Sequence, residues 1–488
     1  MAIVTETKLI KLLQTYNPWW RNPELIRPLS KPRKRTVYHE AVKTIEHPTI
    51  RRFAVLSGTN RVGKTTVLNQ MIEKFIDDRI PARNILYVSF DNPIVKMVSM
   101  DDILNTYEML YPKSGVKYLF FDEIQCAESW EPWMKVIYDS RPDIKLAAAG
   151  SASPVLEKSA SGGGAGRWNV LNVPTLSFYE YCKLLELKDC PELPKGLRLT
   201  KLFKMQKGEL ADLINCFSPL QQHFNRYLII GGFPELVLSN DDIYAQRMLR
   251  EDVVDKVIKR DVLSLFNVRN PISMEKLFLY ICMTSSDIFN KQTAAKELEN
   301  IGVSTVEDYI SFLEKSNLIY ISNPMAVGKK SALKGRPKIY IADAAIRSAV
   351  LMLDDVLSDD SEMGIMVETT VYKHIVSFYR NISSVHIGYY RKAKDNQKEV
   401  DVVIKLPKEN ILCEVKYKND APISDSDAII SLSKDENINI KSSFIITKSL
   451  MDYGLAQRGP SIPVFKIPAL VFVYLLGRSE ALGENTKM

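Results

Sequence analysis

The chain has 488 residues, 46% of them hydrophobic and 25% charged; these are ordinary globular values and allow about three domains. A net charge of +7 is small for this length, so it permits contact with nucleic acid without arguing for it. Six scattered cysteines, with no C-x-x-C pair, argue against a zinc ribbon or a disulfide framework and for a reducing compartment. The opening residues lack the layout of a secretion signal, and no apolar run reaches the roughly 18 residues of a membrane helix. The expected location is cytoplasmic, with no membrane partner.

Residues 1–35 read as an extension: a short helical pattern, then NPWWRNP and a Pro/basic loop. From 36 to 180, FAVLS, ILYVSF, YLFFDE, KLAAAGS and WNVLNV alternate with helical segments, as the buried strands of a parallel α/β sheet do. Directly after the first strand comes SGTNRVGKTT, with Gly58, Gly63, Lys64 and Thr65 in the spacing G-x-x-x-x-G-K-T. Glycines let backbone N–H groups curl around phosphate oxygens, and a helix N-terminus adds a favourable dipole. The expected nucleotide contacts are Gly58, Thr59, Asn60, Arg61, Val62, Gly63, Lys64, Thr65 and Thr66. Lys64 is expected on the outer phosphates and the Thr65 hydroxyl on Mg²⁺.

YLFFDE ends a buried strand in Asp122 and Glu123. The first suits the Mg²⁺ shell and the second can polarise an attacking water; the bland alternative is a pair of carboxylates capping a strand. A further strand ends in Gly150-Ser151-Ala152-Ser153, where Ser151 is a candidate γ-phosphate sensor or simply part of a turn. These residues together imply ATP, or a similar nucleotide, with Mg²⁺.

From 181 to 350 the pattern is mostly helical, and GGF at 231–233 reads as a turn without chemistry. ELENIGVSTVEDYISFLEK reads as a helix, a turn at Ile301-Gly302-Val303, a Ser304 cap and a second helix. With LIYIS and KIYIA behind it, this suggests a winged helix. The second helix opens on Glu307 and Asp308, which repel phosphate and favour a structural role. The basic wing (Lys329, Lys330, Lys334, Arg336, Lys338) remains a candidate phosphate contact.

Residues 351–480 hold one helix and several strands. In EVDVVIKLPKENILCEVKYK, alternation turns Asp401, Glu414 and Lys416 to one face. With PKEN as the turn, Asp401 stands opposite Lys416, and a cross-strand salt bridge is the ordinary explanation. Glu368, however, lies on the apolar stripe of GIMVETTVYKHIVSFY, where a carboxylate needs a partner. Helix glutamate, strand aspartate and Glu-x-Lys form the layout of PD-(D/E)xK nucleases, in which Glu368, Asp401 and Glu414 would hold Mg²⁺ and Lys416 would orient water.

The ordered set NPWW, GTNRVGKTT, ILYVSFD, YLFFDEIQ, AAGSAS, AGRWNVLNVPTLSFYEY, IIGGFPE, KRDVL and PKIYIAD resembles the AAA-type ATPases of archaea and bacteria that carry a C-terminal nuclease-like domain of unknown function. The resemblance implies an AAA sheet with nucleotide sites near the interfaces of a homo-oligomer, and a winged helix in the middle. It also implies that Arg167, after SGGGAG, is a finger for a neighbour's γ-phosphate, an exposed loop arginine being the alternative.

The expected fold is α/β. It comprises an extension (1–35), a P-loop AAA-type parallel-sheet ATPase domain (36–180), a helical and winged-helix-like region (181–350) and a small α/β restriction-endonuclease-like domain (351–480). Two functions are open. In one, ATP hydrolysis is coupled to a nuclease-like domain acting on DNA in genome maintenance or defence. In the other, the chain is a nucleotide-switched oligomeric scaffold whose nuclease-like domain is catalytically silent.

Overall fold

Short apolar runs become strands buried on both faces. The computed structural model describes residues 5–111, 114–151, 166–262, 268, 270–298, 301–325, 335–382, 384–391, 399–435, 438–457, 464–484 and 488. Ala152, Ser153, most of SGGGAG and the wing lysines Lys329, Lys330 and Lys334 lie outside them. The chain forms two compact units, Met1–Pro174 and Thr175–Met488.

In the first unit, β1 (Phe53–Ser57), β2 (Ile85–Ser89), β3 (Lys117–Asp122), β4 (Ile144–Gly150) and β5 (Trp168–Asn172) form one sheet in the order β2-β3-β4-β1-β5. All neighbouring pairs are parallel. Every side chain of β1 is buried, which only sheets covered on both faces require. The carboxyl ends of β1, β3 and β4 therefore deliver Gly58, Asp122 and Ser151 to the same edge.

NPWWRNP is not an open loop. It forms two 3₁₀ turns, Pro18–Trp20 and Pro23–Ile26, with both tryptophans buried. Its polar atoms close the edge strand β2: the Asn17 amide donates to Tyr87 O at 2.9 Å and accepts from Tyr87 N at 2.6 Å. The indoles of Trp19 and Trp20 both donate to Ile85 O, at 3.2 and 2.7 Å. An open edge is thus blocked by side chains instead of another strand.

The second unit is built on β6 (Ile319–Pro324), β7 (Lys338–Ile341), β8 (His386–Arg391), β9 (Glu399–Lys405), β10 (Asn410–Lys416), β11 (Ile440–Thr447), β12 (Gly454–Gln457) and β13 (Val464–Pro468). Their order is β12-β13-β11-β10-β9-β8-β6-β7. The hairpin β6–β7 thus joins the C-terminal strands through the β6–β8 pair, and the sheet runs unbroken across residue 350. The helices Lys291–Glu297 and Val303–Lys315 precede this hairpin. The second starts from Gly302, not from a Ser304 cap, and has no side-chain cap. Glu307 is taken up by Lys291 at 2.8 Å.

The GGF turn has a packing reason. Gly231 has φ +76°, and a side chain on Gly232 would meet Leu176 O at 2.5 Å. Beside it the buried Asp343 accepts from Lys373 Nζ at 2.8 Å, from Thr175 Oγ1 at 2.6 Å and from Gly232 N at 3.1 Å. Burial alone would raise the Asp343 carboxyl; Lys373 and these hydrogen bonds reverse it to below the ordinary value.

Candidate functional site

Gly58 opens the phosphate loop because nothing larger fits: a Cβ there would meet Val173 O at 2.3 Å. Arg61 and Gly63 take positive φ, +63° and +93°, which curls the loop back before the helix Lys64–Asp77. Arg35 braces it from the extension, its Nη1 donating to Val62 O and Pro174 O, both at 2.8 Å. The helix starts from Gly63, which has no side chain to cap it, so the loop leads its backbone directly into the positive end of the helix dipole. Lys64 is buried, its Nζ donating to Gly58 O at 2.8 Å and Thr59 O at 2.9 Å. Those carbonyls hold the ammonium at the loop, where it can reach a phosphate.

Thr65, exposed at its helix start, donates to Asp122 Oδ2 at 2.6 Å. Tyr87 Oη donates to the same oxygen at 3.0 Å, and Glu123 N to Oδ1 at 3.0 Å. Burial, and after it the charge of Glu123, pushes the Asp122 carboxyl up despite these donors. A buried carboxylate beside a threonine hydroxyl is what a phosphate-bound Mg²⁺ uses, so the residues fit a nucleotide with its metal. Asn60 and Val62 lie on the loop and Thr66 on the first helical turn.

Glu123 sits at φ +50°, a left-handed conformation that turns it off the end of β3. Gln125 joins it to Ser151: its Nε2 lies 2.5 Å from Glu123 Oε2 and 2.9 Å from Ser151 Oγ. Sequence reasoning gives no role to Gln125 or Tyr87 and sees Arg35 only as one charge of the basic loop; the position of Gln125 two residues after Glu123 is the one signal. Arg167 stands elsewhere. It immediately precedes β5 and pairs with Asp139 at 2.8 and 3.0 Å, while Phe53 N donates to its carbonyl. Arg167 is therefore at the amino end of the sheet, about 16 Å from its own phosphate loop along β1.

The C-terminal hairpin differs from its expected register. Ile411 pairs with Ile404 and Cys413 with Val402, because Leu406 N already donates to Glu409 O. The turn is two residues tighter than PKEN, so the three charged residues keep their face while Asp401 slides away from Lys416. Lys416 pairs instead with Asp427 at 2.6 Å and Glu414 at 3.4 Å. Asp401 Oδ2 accepts from Val415 N at 2.8 Å.

The cation that Asp401 and Glu368 share is Lys338, buried at the start of β7 and not exposed on a wing. Its Nζ is 3.3 Å from Glu368 Oε1 and 3.4 Å from Asp401 Oδ1, and it also contacts Glu399. Burial would lower the Lys338 ammonium, but Glu368, Asp401 and Glu399 raise it above the ordinary value. Tyr340 Oη also donates to Glu368, at 2.8 Å. Burial and then Asp401 push Glu368 up to about 7, and the same two causes push Glu414 up to about 7. Among the described residues no three of His, Cys, Asp and Glu are gathered to hold a metal ion. Of the three residues expected to hold Mg²⁺, Glu368 and Asp401 share the Lys338 ammonium, while Glu414 pairs with Lys416 at 3.4 Å.

The first unit is an α/β fold of AAA type with a P-loop. Residues 51–182 match the family model described as AAA domain. Residues 221–357 and 363–470 match two domains of unknown function, DUF8612 and DUF4143. An uncharacterized protein of Methanocaldococcus jannaschii is 25% identical over 297 residues; the match covers 60% of this chain and 60% of that relative's length. One of Haemophilus influenzae is 22% identical over 371 residues, covering 75% of this chain and 82% of that protein. Among solved structures, the Aeropyrum pernix ORC1 protein in complex with DNA aligns at 12% identity and TM-score 0.32, over 68% of this chain and 96% of that one. The Thermotoga maritima RuvB Holliday junction branch migration motor aligns at 14% and 0.27, over 58% and 87%. No helix among the described residues is long and apolar enough to cross a membrane.

Proposed function

We propose that the chain is a cytoplasmic, homo-oligomeric ATP-hydrolysing protein that uses Mg²⁺. The single observation carrying the nucleotide and Mg²⁺ part of this reading is the 2.6 Å contact of Thr65 Oγ1 with Asp122 Oδ2 beside the helix start and the buried Lys64. In this reading the loop N–H groups and Lys64 bind the phosphates, Asp122 and Thr65 hold the metal, and Glu123 accepts a proton from the attacking water. When bound, Mg²⁺ supplies charge neutralisation at the phosphates. Lys64→Ala and Glu123→Gln should each abolish ATP turnover; a Lys64→Ala protein with normal turnover would contradict the assignment.

For the second unit, the nuclease-like layout of Glu368, Asp401, Glu414 and Lys416 supports action on DNA in genome maintenance or defence. The position of Lys338 favours the other reading: a nucleotide-switched interaction protein whose nuclease-like domain is catalytically silent. ATPase rate and subunit stoichiometry, measured with and without single- and double-stranded DNA, separate a DNA-driven machine from a scaffold. Metal-dependent cleavage that disappears in Asp401→Asn or Lys416→Ala would overturn the silent reading.

A further inference from the structure

We infer that Gln125 is a positioning residue that sets the direction of hydrogen bonding across the hydrolytic site, tying Ser151 to Glu123. The inference rests on the ATPase reading above and assigns a role to a residue outside the phosphate loop and the acidic pair.

The geometry has a built-in polarity. An amide nitrogen has two protons and accepts nothing. Gln125 Nε2 is within reach of both Glu123 Oε2, at 2.5 Å, and Ser151 Oγ, at 2.9 Å. With one proton committed to each, Ser151 is an acceptor towards Gln125, which leaves its own O–H to donate. An anion such as a terminal phosphate is the partner for that proton. Glu123, already receiving one hydrogen bond on Oε2, keeps Oε1 as an acceptor for a water proton. A single neutral amide thus aims a donor at the phosphate and an acceptor at the water.

The amide is held in place. A Cβ on Gly150 would come within 2.6 Å of Gln125 Oε1, so glycine at that strand end makes room for it. Gln125 Oε1 is buried without a hydrogen-bond partner, which leaves the nitrogen end to the two functional groups. The turn Ile124–Cys126, closed by Cys126 N donating to Glu123 O at 2.9 Å, fixes Gln125 relative to Glu123. Gly58 N donates to Gly150 O at 3.4 Å, which ties the phosphate loop to the Ser151 strand end. Loss of the nucleotide's outer phosphate would remove the partner of the Ser151 proton, and the relay carries that change to Glu123.

The test uses the full-length chain, ATP and ADP, and two substitutions. Gln125→Ala should lower kcat by about 10²-fold, the scale of a misaligned reacting group, with ADP affinity within about twofold of wild type. Its preference for a non-hydrolysable ATP analogue over ADP should also shrink, since Ser151 loses its orientation. Gln125→Glu supplies a proton donor only when protonated, and two adjacent carboxylates raise that pKa. Its turnover should therefore fall as pH rises from 5 to 8, relative to wild type and to Gln125→Ala. Undiminished kcat in Gln125→Ala would overturn the inference. So would a pH-independent loss in Gln125→Glu, or losses that track ADP affinity and melting temperature in both variants. If wild type hydrolyses no more ATP than Lys64→Ala does, the ATPase reading itself has failed, and that outcome is separate from these.

Discussion

The ammonium that meets Asp401 belongs to Lys338, 3.4 Å from Oδ1, and not to Lys416. A strand outside the hairpin thus supplies the charge that hairpin alternation assigned within it. Lys338 also meets Glu368 and Glu399, so three partly buried carboxylates gather on one ammonium, Glu399 having Arg391 at 3.8 Å besides.

Removing that cation should leave uncompensated charge in a low-dielectric place. Taking away one partner of a buried ion pair costs about 3–5 kcal/mol. Lys338→Ala should therefore melt well below wild type in calorimetry without nucleotide, and a second change, Asp401→Asn, should restore part of the loss. Millimolar Mn²⁺ should raise the melting temperature of Lys338→Ala and leave wild type unmoved. A Lys338→Ala protein as stable as wild type would show that the cluster does not rely on this lysine.

The raised carboxyls give a pH signature. Glu368 and Glu414 sit at about 7 in the folded chain against an ordinary 4.5, so the fold binds protons there that the unfolded chain has released. Their contribution is fully present below about 4.5 and lost as pH rises through about 7. Asp401 is the second cause of both shifts, so Asp401→Asn should weaken the effect. Its stability relative to wild type should rise between pH 5 and 8. Reading the difference also cancels His374, which burial lowers to about 3 and whose contribution runs the opposite way. A pH-independent difference would remove Asp401 as a cause.

The strands of the first unit and the phosphate loop were legible because their signals are local. FAVLS, YLFFDE and GTNRVGKT each fix their structure within about ten residues, through burial, glycine conformation and helix polarity. Glu368 was legible as a charge on an apolar helix face. Its partner was not, since Lys338 lies 30 residues away in sequence and reaches it through sheet order. The hairpin register failed for a similar reason: PKEN allows a four-residue turn, and the Leu406–Glu409 bond that closes a tighter one leaves no mark in the pattern. The NPWW segment lacks periodicity altogether, so the burial of its tryptophans is a purely tertiary fact.

Asn17 offers a test of that edge. It is fully buried, and its side chain makes hydrogen bonds to Leu13 O, Tyr87 O and Tyr87 N. At roughly 1 kcal/mol each, with a further penalty for the backbone groups left unpaired, Asn17→Ala should lose about 3 kcal/mol in urea unfolding. Asn17→Asp keeps the acceptor for Tyr87 N but turns a buried carboxylate towards the carbonyls of Leu13 and Tyr87, and should lose at least as much. An Asn17→Ala midpoint equal to wild type would mean the edge is closed by the tryptophans alone.

Arg167 separates an oligomeric ATPase from a monomeric one. Its position at the amino end of β5 puts it out of reach of the phosphate loop on its own chain, whose glycines follow the carboxyl end of β1. If it contributes to hydrolysis, it does so on another subunit's nucleotide. Its pairing with Asp139 is solvent-exposed, so Arg167→Ala should leave melting temperature and nucleotide affinity unchanged. Turnover should nevertheless fall by about 10³-fold, the scale of an arginine finger in phosphoryl transfer. Mixing decides the geometry. Lys64→Ala subunits lack the phosphate lysine but retain Arg167, whereas Arg167→Ala subunits retain the lysine. At an interface between the two, the intact loop of one meets the intact arginine of the other, and turnover should reappear although each protein alone is inactive. An Arg167→Ala chain that hydrolyses ATP at the wild-type rate, or an inactive one that no mixture rescues, would show that Arg167 serves no neighbour.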